Sequence, residues 1–153
     1  MNRIFLFVVL MATISFTLVS CDEDADTVEI IDSSLPTGDL QVNQSGTFTA
    51  QNDTPTAGTV QIGVDDDNRS FLSLSDDFTT AVATGTVTVY LSTSEAFITD
   101  PGNGNPDLRL IGAVQENGAH FFEVEGGVDS KFTHVILWCA SANIPFGFAS
   151  LGN

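Results

Sequence analysis

The sequence predicts an all-β fold, an antiparallel β-sandwich of about eight short strands. Three observations carry the prediction. Short apolar runs alternate with a period of two, as in Val60, Ile62 and Val64 or Val87, Val89 and Leu91. Clusters of Gly, Asn, Asp and Pro separate the runs, as at Gln51–Ala57 and Asp65–Asn68. No stretch after the N-terminal segment keeps a helical period.

The first 20 residues stand outside the domain. Arg3 supplies a positive start, and Ile4–Leu18 is an apolar run interrupted by Thr13, Ser15 and Thr17. The run is too short and too interrupted for a bilayer span, which needs about 20 apolar residues. It reads as a secretory signal peptide. Its ending, Leu18-Val19-Ser20-Cys21, resembles a bacterial lipobox. That likeness implies cleavage before Cys21 and acylation of its thiol with diacylglyceryl and palmitoyl-type chains. The expected product is a membrane-anchored, extracytoplasmic bacterial lipoprotein, on the periplasmic face or the cell surface.

Residues 21–45 read as the lipidated Cys and an acidic flexible tether. Asp22, Glu23, Asp24, Asp26, Glu29 and Asp32 meet no basic residue, and like charges extend a chain. All 20 acidic residues of the protein follow the signal, against Arg69, Arg109 and Lys131, so this part carries a formal charge of −17. Such a surface repels phosphate backbones, which excludes nucleic acid as a partner. It offers no pull toward anionic lipid either, so attachment falls to acyl chains.

Residues 46–153 carry the strands. Thr47–Ala50 alternates first, then Thr59–Val64, with a hairpin turn at Asp65–Asn68. Arg69–Leu74 places Leu72 and Leu74 on one face. Val87–Leu91 alternates with Thr86, Thr88 and Tyr90. A loop rich in Gly, Asn and Pro spans Asp100–Pro106. Leu108–Val114 follows, its alternation broken at Ile111, then His120–Glu125 and Phe132–Cys139. A break at Asn143–Pro145 leads to Phe146–Leu151. About 105 ordered residues suffice for a small single core. Nine of the 12 Phe lie outside the signal and are its expected payload.

Cys139 is the chemically distinctive residue, beside the chain's only Trp, Trp138. With Cys21 assigned to lipid, the exported chain holds an odd cysteine. It is then a buried hydrophobe, a link to another chain, or a working thiol. Strand alternation puts Val135, Leu137 and Cys139 on one face and His134, Ile136 and Trp138 on the other. A thiol becomes a nucleophile when nearby positive charge favours its thiolate, and this domain has little to offer. Stabilisation by a bound metal or haem iron therefore reads better than a bare activated thiolate. His134 faces away from Cys139, and His120 approaches only through tertiary pairing. No zinc knuckle is present. Asp65, Asp66, Asp67 and Asn68, with Asp76 and Asp77, are oxygen-rich but lack the staggered spacing of a calcium loop, and contiguous Asp in a turn is expected to face water. No hydrolase or nucleotide motif appears. The chain thus reads as an electron-transfer or binding module rather than an enzyme with its own substrate.

Several segments resemble the DM-thirteen domain family. They are Gly58-Thr59-Val60, Phe71-Leu72-Ser73-Leu74 with Asp77-Phe78, Val89-Tyr90-Leu91-Ser92, and Val135-Ile136-Leu137-Trp138-Cys139 followed by Phe146-Gly147-Phe148-Ala149-Ser150-Leu151. The likeness covers roughly Gly46 to Leu151. It implies an all-β module associated with DOMON domains, acting in extracytoplasmic electron transfer with a redox partner protein. It also implies that Cys139 is the family's recurring Cys, redox-active itself or linked to a haem-like cofactor. Two family features are altered: Ala83-Thr84-Gly85-Thr86 stands where relatives carry Gly-Pro-Asp, and Asp53-Thr54-Pro55-Thr56-Ala57 lacks a common His. The alternative class is a non-catalytic surface binding or adhesion module in which Cys139 is core.

Overall fold

Eight strands pair antiparallel in one continuous sheet, in the order β5-β4-β7-β8-β1-β2-β3-β6. In the computed structural model, which describes residues 34–153, they are β1 (Gln41–Ala50), β2 (Thr59–Val64), β3 (Ser70–Leu74), β4 (Val87–Ser92), β5 (Leu108–Val114), β6 (His120–Glu123), β7 (His134–Cys139) and β8 (Ile144–Ser150). The expected all-β antiparallel class and the eight strands are present. The two layers are opposite walls of one curled, nearly closed sheet rather than two separate sheets. β1 makes the corner: Gln41–Thr47 pairs with β2, and Phe48–Ala50 pairs with β8. A bulge between Val42 and Gln44 interrupts the β1–β2 ladder before that corner.

The outer strands β5 and β6 approach each other at the seam. The Phe122 ring lies on Gly112, where a Cβ would come within 2.5 Å of a ring carbon, so only glycine admits the ring. Arg109 ties the seam with hydrogen bonds to the carbonyls of Gly127 (2.8 Å) and Glu125 (2.6 Å). The broken alternation at Ile111 is a bulge against β4: Tyr90 faces Leu110 and Val89 faces Gly112. Ile111 thereby packs against the core while Leu110 is left 58% exposed.

The inner face is filled by alternating apolar residues. Val60, Ile62, Leu72, Leu74, Val87, Val89, Leu91, Val135 and Leu137 line the walls, and Phe48, Phe78, Val114, Phe146 and Ala149 complete the cluster. Each such side chain, fully buried, contributes about 1.5–3 kcal/mol.

Neighbouring strands run in opposite directions all round the sheet. β1, β3, β5 and β7 therefore finish at one end, where β2, β4, β6 and β8 begin. The β3–β4 crossover covers that end. Phe78 is wholly buried there, its ring 5.6 Å from that of Phe48 and 6.2 Å from that of His120. Gly58 makes the plug possible. Its φ is +103°, and a Cβ would lie 2.7 Å from the Phe78 Cα. A 3-10 turn, Val82–Thr84, follows the plug.

Several element boundaries differ from the sequence reading, β7 among them, which begins at His134 rather than Phe132. β1 begins at Gln41 rather than near Gly46. Gln41, Val42 and Asn43 are exposed, so no alternation marks a strand there. The break after β7 falls at Ala140–Asn143, because Asn143 takes φ +56° and its N–H closes onto the Cys139 carbonyl at 2.8 Å. Pro145 lies within β8, opposite Trp138 at a register shift, where a strand tolerates proline. β6 ends at Glu123, two residues early. The signal peptide reading of residues 1–20, the lipidated Cys21 and the acidic run to Ser33 lie outside the described residues.

Candidate functional site around Cys139

β7 lies between β4 and β8, so both its edges are paired. Its residues are apolar on both faces because both are covered: Val135, Ile136, Leu137 and Cys139 are each 0% exposed. As alternation predicts, Cys139 shares a face with Val135 and Leu137; that face is the inner one and belongs to the core cluster. It is the last residue of the strand, facing Val87 on β4 and Ile144 on β8. The chain then reverses through the exposed turn Ala140–Asn143. From that turn Ser141 brings its hydroxyl to 3.2 Å from the Cys139 Sγ. The sulfur thus lies one layer beneath the surface, hydrogen-bonded to a residue that is itself exposed.

This arrangement does not fit a haem iron. A thiolate ligand needs an open side for the macrocycle, whereas Cys139 is sealed between neighbouring strands of an apolar core. A cleft of about 570 Å³ lies elsewhere, between the Pro36–Leu40 segment and the residues Gln61, Ser73 and Phe121. Among the described residues no three His, Cys, Asp or Glu side chains are grouped to hold a metal ion. His134 sits at the start of β7, at the far end from the sulfur, with its Nδ1 2.9 Å from Thr133 Oγ1. His120 begins β6 at the sulfur's end, but its ring stacks on Phe122 and meets Phe78 edge-on, and its Nδ1 lies 2.9 Å from the Gly118 carbonyl.

The described cations all lie at the opposite end. Arg69 precedes β3, Arg109 is near the start of β5, and Lys131 precedes β7. Each is engaged: Arg69 with Asp65, Arg109 with two carbonyls, and Lys131 with the Pro106 carbonyl at 2.8 Å. No basic side chain among the described residues is placed to stabilise a Cys139 thiolate.

Trp138 faces outward. Its indole stacks on Phe97 with centroids 4.0 Å apart and planes 14° from parallel. Tyr90 meets the same Phe97 ring edge-on at 5.0 Å. Phe97 arrives from the β4–β5 loop, which is pinned at its base by hydrogen bonds from Thr93 N–H to the Asp107 carbonyl (3.2 Å) and from Thr133 Oγ1 to the Thr93 carbonyl (3.2 Å). Sequence reasoning had no signal for Phe97, since one Phe before a turn-rich loop carries no periodicity.

Asp66, Asp67 and Asn68 of the turn face water as expected, but Asp65 does not. Asp65 is 1% exposed. Its Oδ1 accepts from the N–H groups of Asp67 (3.0 Å) and Arg69 (2.8 Å), and its Oδ2 accepts from Thr37 N–H (3.0 Å) and the Arg69 guanidinium (2.8 Å). Arg69 also donates to the Leu35 carbonyl (3.0 Å), fastening the segment that enters β1. Desolvation pushes the Asp65 carboxyl up. The hydrogen bonds from Thr37 and Arg69, with the guanidinium charge, outweigh it and hold the group below the ordinary value of 3.8.

A family model described as Electron transfer DM13 matches residues 47–151, from the second half of β1 through the end of β8. No curated protein and no solved structure matches the chain.

Proposed function

The chain belongs to the electron transfer DM13 family, and from that premise we propose that it is a lipid-anchored extracytoplasmic electron-transfer module with Cys139 as its redox group. The observation that carries this reading is the Sγ–Ser141 contact at the covered end of the barrel. Cys139 holds the only sulfur between residues 34 and 153. The Ser141 hydroxyl joins it to an exposed turn. In the oxidative step the Cys139 thiol gives one electron to an oxidised metal centre of a partner protein. Its proton passes through the Ser141 hydroxyl to water. The reverse step returns an electron from a reduced centre and a proton from water. Loss of the proton with the electron avoids leaving a charge in an apolar core that holds no cation to match it.

Anchoring rests on the lipobox-like Leu18-Val19-Ser20-Cys21 and the signal before it. Among the described residues no helix is long and apolar enough to cross a membrane. Haem is left out of the reading because the sealed sulfur has no side open to it.

A second reading follows from the same burial. With 0% exposure in the core cluster, Cys139 serves packing alone in a non-catalytic binding or adhesion module. Exposure of the folded, intact protein to a one-electron oxidant separates the two. The redox reading expects loss of the Cys139 thiol, counted after unfolding, with the fold intact during oxidation. The packing reading expects the thiol to survive until the protein unfolds.

A further inference from the structure

The chain contains one Trp and one Tyr, both side chains that give up a single electron to a strong oxidant. The fold brings both onto one aromatic ring. Trp138 stacks on Phe97 with centroids 4.0 Å apart, and Tyr90 meets the same ring edge-on at 5.0 Å. Trp138 shares a peptide bond with Cys139, while its indole stands on the opposite face of β7. The wall between the buried sulfur and the outer surface is therefore one strand thick, and the indole is on its outer side. Tyr90 comes from the neighbouring strand, facing Ile136, and Thr88 of the same strand faces Trp138. Trp138, Phe97 and Tyr90 are each partly exposed. Exposed Ile98 (61%) and Leu110 (58%) lie next to Phe97 in the chain and opposite Tyr90 in the sheet, respectively.

We propose that Trp138, Phe97 and Tyr90 form the electron path between Cys139 and the outer face of β4 and β7. The inference rests on Cys139 being the redox group. A one-electron oxidant at the surface takes an electron from the Trp138 indole. The indole is refilled from Cys139, whose proton leaves through Ser141 to water. Tyr90 is the second donor to the same indole. It gives an electron across the Phe97 ring and its phenolic proton to solvent. The net reaction is one electron to the oxidant and one proton to water. Phe97 stays unoxidised and holds the two donors in contact.

The intact folded protein tests this with photogenerated ruthenium(III) tris-bipyridine as the oxidant. Transient absorption should show a tryptophan radical first, with tyrosyl absorption rising as it decays. Trp138→Phe should slow loss of the Cys139 thiol by about ten-fold or more, the change that a barrier higher by about 1.4 kcal/mol produces. Phe97→Leu keeps the loop's apolar contact and should slow the tyrosyl rise while leaving the first step unchanged. Thermal unfolding of each variant verifies the fold. Equal thiol-loss rates in Trp138→Phe and parent, with Cys139 still oxidised, would overturn the path and leave Cys139 as the redox group. Survival of the Cys139 thiol in every chain would instead remove the reading on which the path rests.

Discussion

The Cys139 sulfur and the Trp138 indole lie on opposite faces of β7, one inside the core and the other stacked on Phe97 outside it. Their separation follows from the two-residue period of a strand. It sets the chemical question for the molecule: a sulfur that solvent does not reach, beside a ring that it does.

Burial of Cys139 has a direct consequence for its reactivity. A thiol reagent needs the sulfur exposed, so labelling of the folded protein should be slow and follow the population of opened molecules. Added denaturant should speed it steeply. Rapid labelling in native buffer would contradict the 0% exposure found here.

The Asp65 carboxyl is held below 3.8 in the folded chain. Its ionised form is favoured by folding, so the stability it contributes is fully present above 3.8 and is lost as pH falls through the lower folded value. Urea midpoints measured from pH 6 downward should drop across that acid window. Asp65→Asn should be less stable than the parent at pH 6 and should lose less in the same window. Equal pH profiles would mean that the hydrogen bonds from Thr37 and Arg69 do not act on the carboxylate.

Gly58 admits the Phe78 plug. Gly58→Ala forces a Cβ to 2.7 Å from the Phe78 Cα at a φ of +103°. The expected loss is about 1–3 kcal/mol, the range for a residue held in a strained backbone region. Equilibrium denaturation reads it directly, and an unchanged midpoint would show that the crossover shifts freely.

Anchoring is tested at Cys21. Cys21→Ala should leave the protein in the soluble fraction after export, since the acidic surface has no affinity of its own for anionic lipid. Firm attachment of the variant to membranes would exclude the lipid as the anchor.

Much of the fold was legible in the sequence because strand alternation is local. Val60 and Ile62, Val87 and Val89, and Val135 and Leu137 declared which residues share a face, whereas the bulge at Ile111 depends on the pairing of β5 with β4. The same count put Cys139 on one face with Val135 and Leu137, but both faces of the strand are apolar, so that this face is the inner one shows only in the fold. Other features depend on partners far along the chain. Asp65 looked like a solvated turn residue, and its burial required Thr37 and the segment entering β1. β1 hid its first residues because they are exposed and show no apolar period. The Trp138–Phe97–Tyr90 stack needed the β4–β5 loop to fold back over the sheet, which composition does not signal. Gathering of the described cations at the end away from Cys139 became visible only once strand directions were known.

A redox titration of the intact protein, with one-electron mediators, tests the central claim most directly. Cys139→Ser keeps a hydroxyl at the place of the sulfur and can retain the contact with Ser141, so the variant should fold, as thermal unfolding would verify. The account predicts that the parent exchanges one electron reversibly per chain at a potential below those of Trp138 and Tyr90, and that Cys139→Ser exchanges none at that potential. Equal electron uptake by the two chains would contradict it.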